Sequence, residues 1–262
     1  MPWPGGAKAD PAGLGFRFEN RAAASSVADP YAGMGVAVGG ADGPLDLFVT
    51  NSRHEPSAAF ARTSESAGTF ADARPDFDPA LGSDFVGWGD TFVDLTNSGS
   101  SDLVLATGGI PVKSLKKDAG PLKVLAPVGD QGGTQYGVAR GLAPSGLRVN
   151  GRGLAAADVD NDGRMEVAVN SIGGKLLLLK SSGPVGHWLD VRLSRFSPGA
   201  VVTVDLGKAS LSQEVRAGSS YLSSEDERIH FGLGDATRVE RLTVRYPWGR
   251  DIVLHDVRGP DE

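Results

Sequence analysis

Three stretches of the chain repeat one pattern, and that repeat limits the fold more than any other feature. They read "GMGVAVGGADGPLDLFV" from Gly33, "GWGDTFVDLTNSGSSDLVL" from Gly87 and "GRGLAAADVDNDGRMEVAV" from Gly151. Each opens on Gly-x-Gly, runs through a short apolar strand, enters a polar turn and returns through an acid followed by apolar residues. Recurrence at roughly 60 residues suits repeated units of about four strands, the size of a propeller blade. Shorter β-like pieces between them, "GTFADARPDF" (68–77) and "TQYGVARGL" (134–142), supply further strands. The 37 glycines are scattered without period and mark many turns. No long helical periodicity competes with this pattern, since candidates such as 112–122 are short and broken by glycine and proline.

The pattern changes near "SSGPVG" (181–186). Beyond it come longer segments that alternate apolar and polar residues: "HWLDVRLS", "AVVTVDLG", "SQEVRAG", "RIHFGLG", "VERLTVRYP" and "DIVLHDV". Period-two alternation is the pattern of half-buried strands. The expected architecture is therefore all-β in two parts. A reduced, propeller-like repeat region fills residues 1–183, and a small sandwich- or barrel-like β domain fills 184–262.

The third repeat carries the most distinctive chemistry. Asp158, Asp160 and Asp162 alternate, Gly163 follows, and Glu166 closes the loop. Alternation in a tight loop lets the carboxylates converge, and glycine lets the backbone turn with positive φ. Four hard oxygen ligands, with the Arg164 carbonyl as a fifth, suit calcium. Left unneutralised, carboxylates so close would repel one another. The loop is not an EF-hand, because position 12 of such a loop is here Val169. The competing reading is a hairpin turn without an ion, for which "NDG" is itself a strong signal. The second repeat keeps Asp94, Thr96, Ser98 and Asp102 at the matching positions, a weaker donor set. The first keeps only Asp42 and Asp46.

Several functions are disfavoured. A net charge of −6 argues against nucleic acid, which needs a concentrated positive surface; the only basic cluster is "VKSLKK" (112–117). The absence of cysteine removes disulfides, thiolate metal sites and cysteine nucleophiles. No apolar run approaches a membrane span. The N-terminus has no signal-peptide pattern, so the expected location is cytoplasmic if Met1 is the true start, and outside the cell if a leader was removed. Gly151-x-Gly153-x-x-Ala156 fails as a dinucleotide fingerprint because a strand, not a helix, follows it. The four histidines are scattered, and His187 and His230 read as packed or surface residues rather than ligands. Trp188 and Trp248 read as core anchors, with Trp248 close to a turn. In "SSYLSSEDERIHFGLG" (219–234), Tyr221, Arg228 and His230 are the candidates to line a surface pocket; the plainer alternative is a strand–turn–strand.

Gly-x-Gly, a short strand and then "DVDNDGRMEV" resemble the FG-GAP or VCBS-type repeat of calcium-binding β-propellers. "HWLDVRLS", "VRAGSSYLSSEDERIHFGLG" and "VERLTVRYPWGR" are similar to the ASPIC/UnbV domain, and "AGLGFRFENRAA" resembles the usual opening of proteins that combine the two. Such proteins include cartilage acidic protein-like members and others encoded near enediyne antibiotic genes. Two departures stand out. Three units fall short of the four to eight blades of a closed propeller, so the exposed edges need cover from the C-terminal domain, the N-terminal segment or a second subunit. The loop after "VRLS" is cut to "RFS" (195–197). The function expected is a calcium-stabilised, non-catalytic scaffold that binds a protein, carbohydrate or small molecule. The alternative is an accessory protein or cofactor-free enzyme of specialised-metabolite biosynthesis.

Overall fold

Successive first strands of the repeat lie against one another, and the Gly-x-Gly pairs make that approach physically available. The computed structural model describes residues 18–39, 46–64, 68–128, 135–139, 146–257 and 261. Asp42, the 12–17 part of the opening segment and parts of the 134–142 piece lie outside these residues. The first unit is an antiparallel meander of β1 (Val36–Gly39), β2 (Asp46–Val49), β3 (Ala58–Ser64) and β4 (Thr69–Asp72). Helix α1 (Arg74–Leu81) follows it. The second unit begins with β5 (Gly87–Val93) and β6 (Asp102–Thr107). After a short β7 (Gly120–Pro121) it continues through β8 (Lys123–Pro127) and β9 (Tyr136–Val138). A two-residue β10 (Arg148–Val149) pairs with β7. The third unit has three strands, β11 (Gly151–Ala157), β12 (Glu166–Ser171) and β13 (Leu177–Lys180).

The second glycine of each pair sits where the chain meets its neighbour. A Cβ on Gly35 would collide with the Trp88 carbonyl of β5. One on Gly89 would come within 2.7 Å of the Arg152 carbonyl and the Leu154 amide of β11. β6 then joins the units, because its two faces belong to different cores. Leu103 and Leu105 pack with Phe48, Phe85 and Leu125 between the first and second units. Val104 and Ala106 pack with Leu154, Val167 and Val169 between the second and third. The alternation of β6 is thus apolar on both faces, as a strand buried between two sheets requires.

Residues 74–77 correct the sequence reading. "GTFADARPDF" holds a strand only as far as Asp72 and then enters α1. Asp72 accepts the Arg74 amide at 3.0 Å, which satisfies one of the amides left unpaired at a helix start. Phe77 and Leu81, four residues apart, bury one face of the helix. Phe77 stacks on Tyr136 at 4.3 Å and lies 5.3 Å from Phe48, so α1 closes the core between the first two units.

After the third unit come β14 (His187–Val191), β15 (Val201–Asp205), β16 (Ser210–Glu214), β17 (Ile229–Gly234), β18 (Val239–Arg245) and β19 (Ile252–Val257). β14 pairs with β17, and the other four form an antiparallel sheet in the order β16-β15-β18-β19. Both sheets contribute to one core of Leu189, Phe231, Val202, Leu211, Leu242 and neighbours, drawn from this part of the chain alone. Among the described residues the fold is all-β apart from α1, and no barrel closes. Trp248, on the turn between β18 and β19, is 64% exposed and anchors no core.

Candidate metal centre and the junction around it

The 158–166 loop connects β11 to β12, and the 94–102 loop connects β5 to β6 in the same way. Their backbones match residue for residue. Asn161 and Asn97 both take left-handed conformations (φ 58° and 55°), as do Gly163 and Gly99 (80° and 89°). Asp158 accepts the Asp162 amide at 3.2 Å and the Gly163 amide at 2.9 Å. Asp94 accepts the Ser98 and Gly99 amides at 3.1 and 2.7 Å. Glu166 Oε2 takes the Val159 amide at 2.8 Å, as Asp102 Oδ2 takes the Leu95 amide at 3.1 Å. First and last acids of both loops therefore hold the turn together, and both are buried.

The loops differ in the middle positions. In the third unit Asp160 and Asp162 stand where the second has Thr96 and Ser98. Carboxylate oxygens of Asp158, Asp160 and Glu166 lie within 4.8 Å of one another. Lys180 of β13 reaches into this group. Its Nζ lies 2.7 Å from Asp160, 2.6 Å from Asp162 and 3.3 Å from Glu166. Hydrogen bonds to Asp160 and Asp162 hold this ammonium above the ordinary lysine range, and the same contact holds Asp162 below the ordinary carboxylate range. Glu166 is 3% exposed, and its Oε1 pairs with the Lys180 ammonium at 3.3 Å. The donor set suits a cation: hard oxygens, one of them buried and facing the Lys180 ammonium. Asp158, Asp160 and Glu166 are the groups that could hold a metal ion, with Asp162 joined to them through Lys180.

Both loops dock on the C-terminal sheets. Gly163 lies directly against the Trp188 indole, where any Cβ would collide. Asn97 donates to the Gly163 and Gly186 carbonyls at 2.8 and 3.3 Å. His230 spans Asp190 (Nδ1, 2.7 Å) and Asn97 (Nε2, 2.9 Å), with Trp188 stacked on the ring. Each ring nitrogen faces an oxygen of the protein. Arg228 donates to Asn161 Oδ1 at 2.6 Å and to the Asp158 carbonyl, and pairs with Asp190 and Asp226.

Segment 216–228 threads from β16 to β17 across the first strands of all three units. The Ser220 amide donates to the Val36 carbonyl at 2.9 Å, and the Asp90 amide meets Ser220 Oγ at 3.0 Å. Thr91 donates to the Glu225 carboxylate. Gly153 completes the glycine pattern: a Cβ there would come 2.9 Å from Ser223 Oγ. Gly35 and Gly89 meet the first strand of the next unit at the equivalent place, where Gly153 meets this segment. Beside it lies a cleft of about 100 Å³ lined by Phe92, Asp94, Met165, Arg216, Glu225 and His230, among others. Burial raises the carboxyls of Glu225, Asp90 and Asp94 above their ordinary range and pushes Asp102 up to about 7.

Arg228 and His230 thus line the cleft, while Tyr221 packs edge-on against Trp88, 5.0 Å away. Asp94, Thr96, Ser98 and Asp102 come together in the second loop, with Asp94 committed to backbone amides. Sequence reasoning missed Lys180, Asn97, Asp190 and Glu225. No spacing signal marks them, because strand register and packing between distant segments bring them to the site. Lys180 is opposite Glu166 only through the β12–β13 pairing.

Antiparallel β units with an acidic loop, joined to a small two-sheet β domain, define the class of protein. Residues 191–261 match the family described as ASPIC and UnbV, so the C-terminal sheets, from the end of β14 onward, carry that family's sequence pattern. No curated protein matches the chain. No helix among the described residues is long and apolar enough to cross a membrane.

Proposed function

We propose that the chain is a non-catalytic β-scaffold whose third loop binds calcium and whose surface binds a protein, carbohydrate or small-molecule ligand. Three FG-GAP/VCBS-like units would form a partial propeller, with the 216–228 segment covering the position of the next unit. The observation that carries the calcium reading is the shared centre of Asp158, Asp160 and the buried Glu166, whose Oε1 faces a cation, the Lys180 ammonium at 3.3 Å. Calcium there would neutralise carboxylates whose repulsion opposes the fold. The non-catalytic reading is supported by His230, whose two ring nitrogens are both occupied by Asp190 and Asn97.

A thermal melt of metal-stripped protein, with and without millimolar calcium, tests the site alongside Asp160→Ala. Binding to the native state alone stabilises by about 2.7 kcal/mol at a hundredfold excess over Kd. The expected result is an upward shift that Asp160→Ala abolishes; no shift in the parent protein would leave the loop as a plain turn. One observation favours a second reading, an accessory protein or cofactor-free enzyme of specialised-metabolite biosynthesis. Glu225 lines the cleft with its carboxyl raised by burial, a property shared by general acids and bases.

A further inference from the structure

Lys180 places one positive charge among the acids that a metal would need. Its Nζ sits 2.6–3.3 Å from oxygens of Asp160, Asp162 and Glu166. Calcium–oxygen bonds are about 2.3–2.6 Å long, so an ion bound by the same oxygens would claim the same space. Ammonium and calcium therefore exclude each other by volume as well as by charge.

The second unit supplies an internal comparison. In the third unit Glu166 is paired with Lys180 across β12 and β13. In the second, Leu103 is paired with Leu125 and Val104 with Val124, so the same register carries Asp102 opposite Ala126. The loop with two extra carboxylates has a lysine on the neighbouring strand, and the loop with hydroxyls there has alanine. The backbones of the two loops are otherwise alike. The lysine thus accompanies the added charge rather than the turn itself.

We infer that Lys180 is the resident counter-ion of the 158–166 loop and lowers its affinity for calcium, which enters only as the Lys180 ammonium leaves. This inference rests on the calcium site proposed above. Without metal, Lys180 neutralises part of the acidic group and keeps the loop folded. When calcium binds, the ammonium moves to solvent, which its 35% side-chain exposure leaves within reach. The loop is then a site whose occupancy follows calcium concentration, instead of one filled permanently.

The experiment compares the parent protein with Lys180→Met, purified in calcium and titrated with a chelator of known affinity. The inference expects at least tenfold tighter calcium binding in Lys180→Met, and a lower metal-free melting temperature that calcium restores. It also expects acylation of Lys180 in the parent protein, followed by mass spectrometry, to speed up as calcium is added. Affinities within twofold of each other, or acylation indifferent to calcium, would overturn it. If neither protein binds calcium, the calcium site fails and the competition with it. A lower metal-free melt of Lys180→Met would then still identify the lysine as counter-ion.

Discussion

Asp102 begins β6 almost fully buried, with Oδ2 accepting the Leu95 amide. Burial raises its pKa from 3.8 to about 7, opposed by that hydrogen bond. Between these values the folded chain keeps a proton that the unfolded chain has lost. Raising pH through the window therefore weakens the fold, and the contribution is full only below about pH 4. Asp90, Asp94 and Glu225 are shifted the same way and add to the slope. Urea unfolding of metal-free protein at pH 5 and pH 8 should show lower stability at pH 8. Asp102→Asn keeps the acceptor oxygen and removes the charge, so it should flatten part of that difference; an unchanged slope would place the effect on the other three acids.

Among the elements, α1 and the acidic loops show how local chemistry and packing divide the work. The 158–166 and 94–102 loops take one conformation because Asn and Gly occupy the left-handed positions and the first acid gathers the following amides. Those are local signals, and they were legible from the residues. α1 was not, because "ADARPDFDPAL" carries Pro79 and only two well-buried large apolar residues. Its stability comes from Phe77 filling the space between Phe48 and Tyr136. Phe77→Ala should cost roughly 3–5 kcal/mol by chemical denaturation, as for a large buried aromatic. A loss below about 1 kcal/mol would mean the helix is an ornament on a core complete without it.

At the scale of the whole molecule, the question is what holds three open sheets together. Segment 216–228 touches the first strand of every unit, and Asn97, His230, Asp190 and Arg228 tie both acidic loops to the C-terminal sheets. The repeat region and the C-terminal sheets should then unfold as coupled parts. A double-mutant cycle of Asn97→Ala and His230→Ala should give an interaction energy of about 1–2 kcal/mol, since the pair belongs to one buried hydrogen-bond network. Additive effects would show that the loop and the sheet stand independently.

The sequence by itself determined the all-β class, the three glycine-led units, the alternating C-terminal strands and the carboxylates of the third loop. Each of these follows from local periodicity or turn chemistry, which neighbouring residues decide. Lys180 at the centre of those carboxylates, the Asn97–His230–Asp190 contact and the passage of the 216–228 segment across the first strands were decided only in the tertiary structure. They depend on which strand lies opposite which, and on burial shared between residues more than a hundred positions apart. That information is a property of the packed chain, and no short window of sequence contains it.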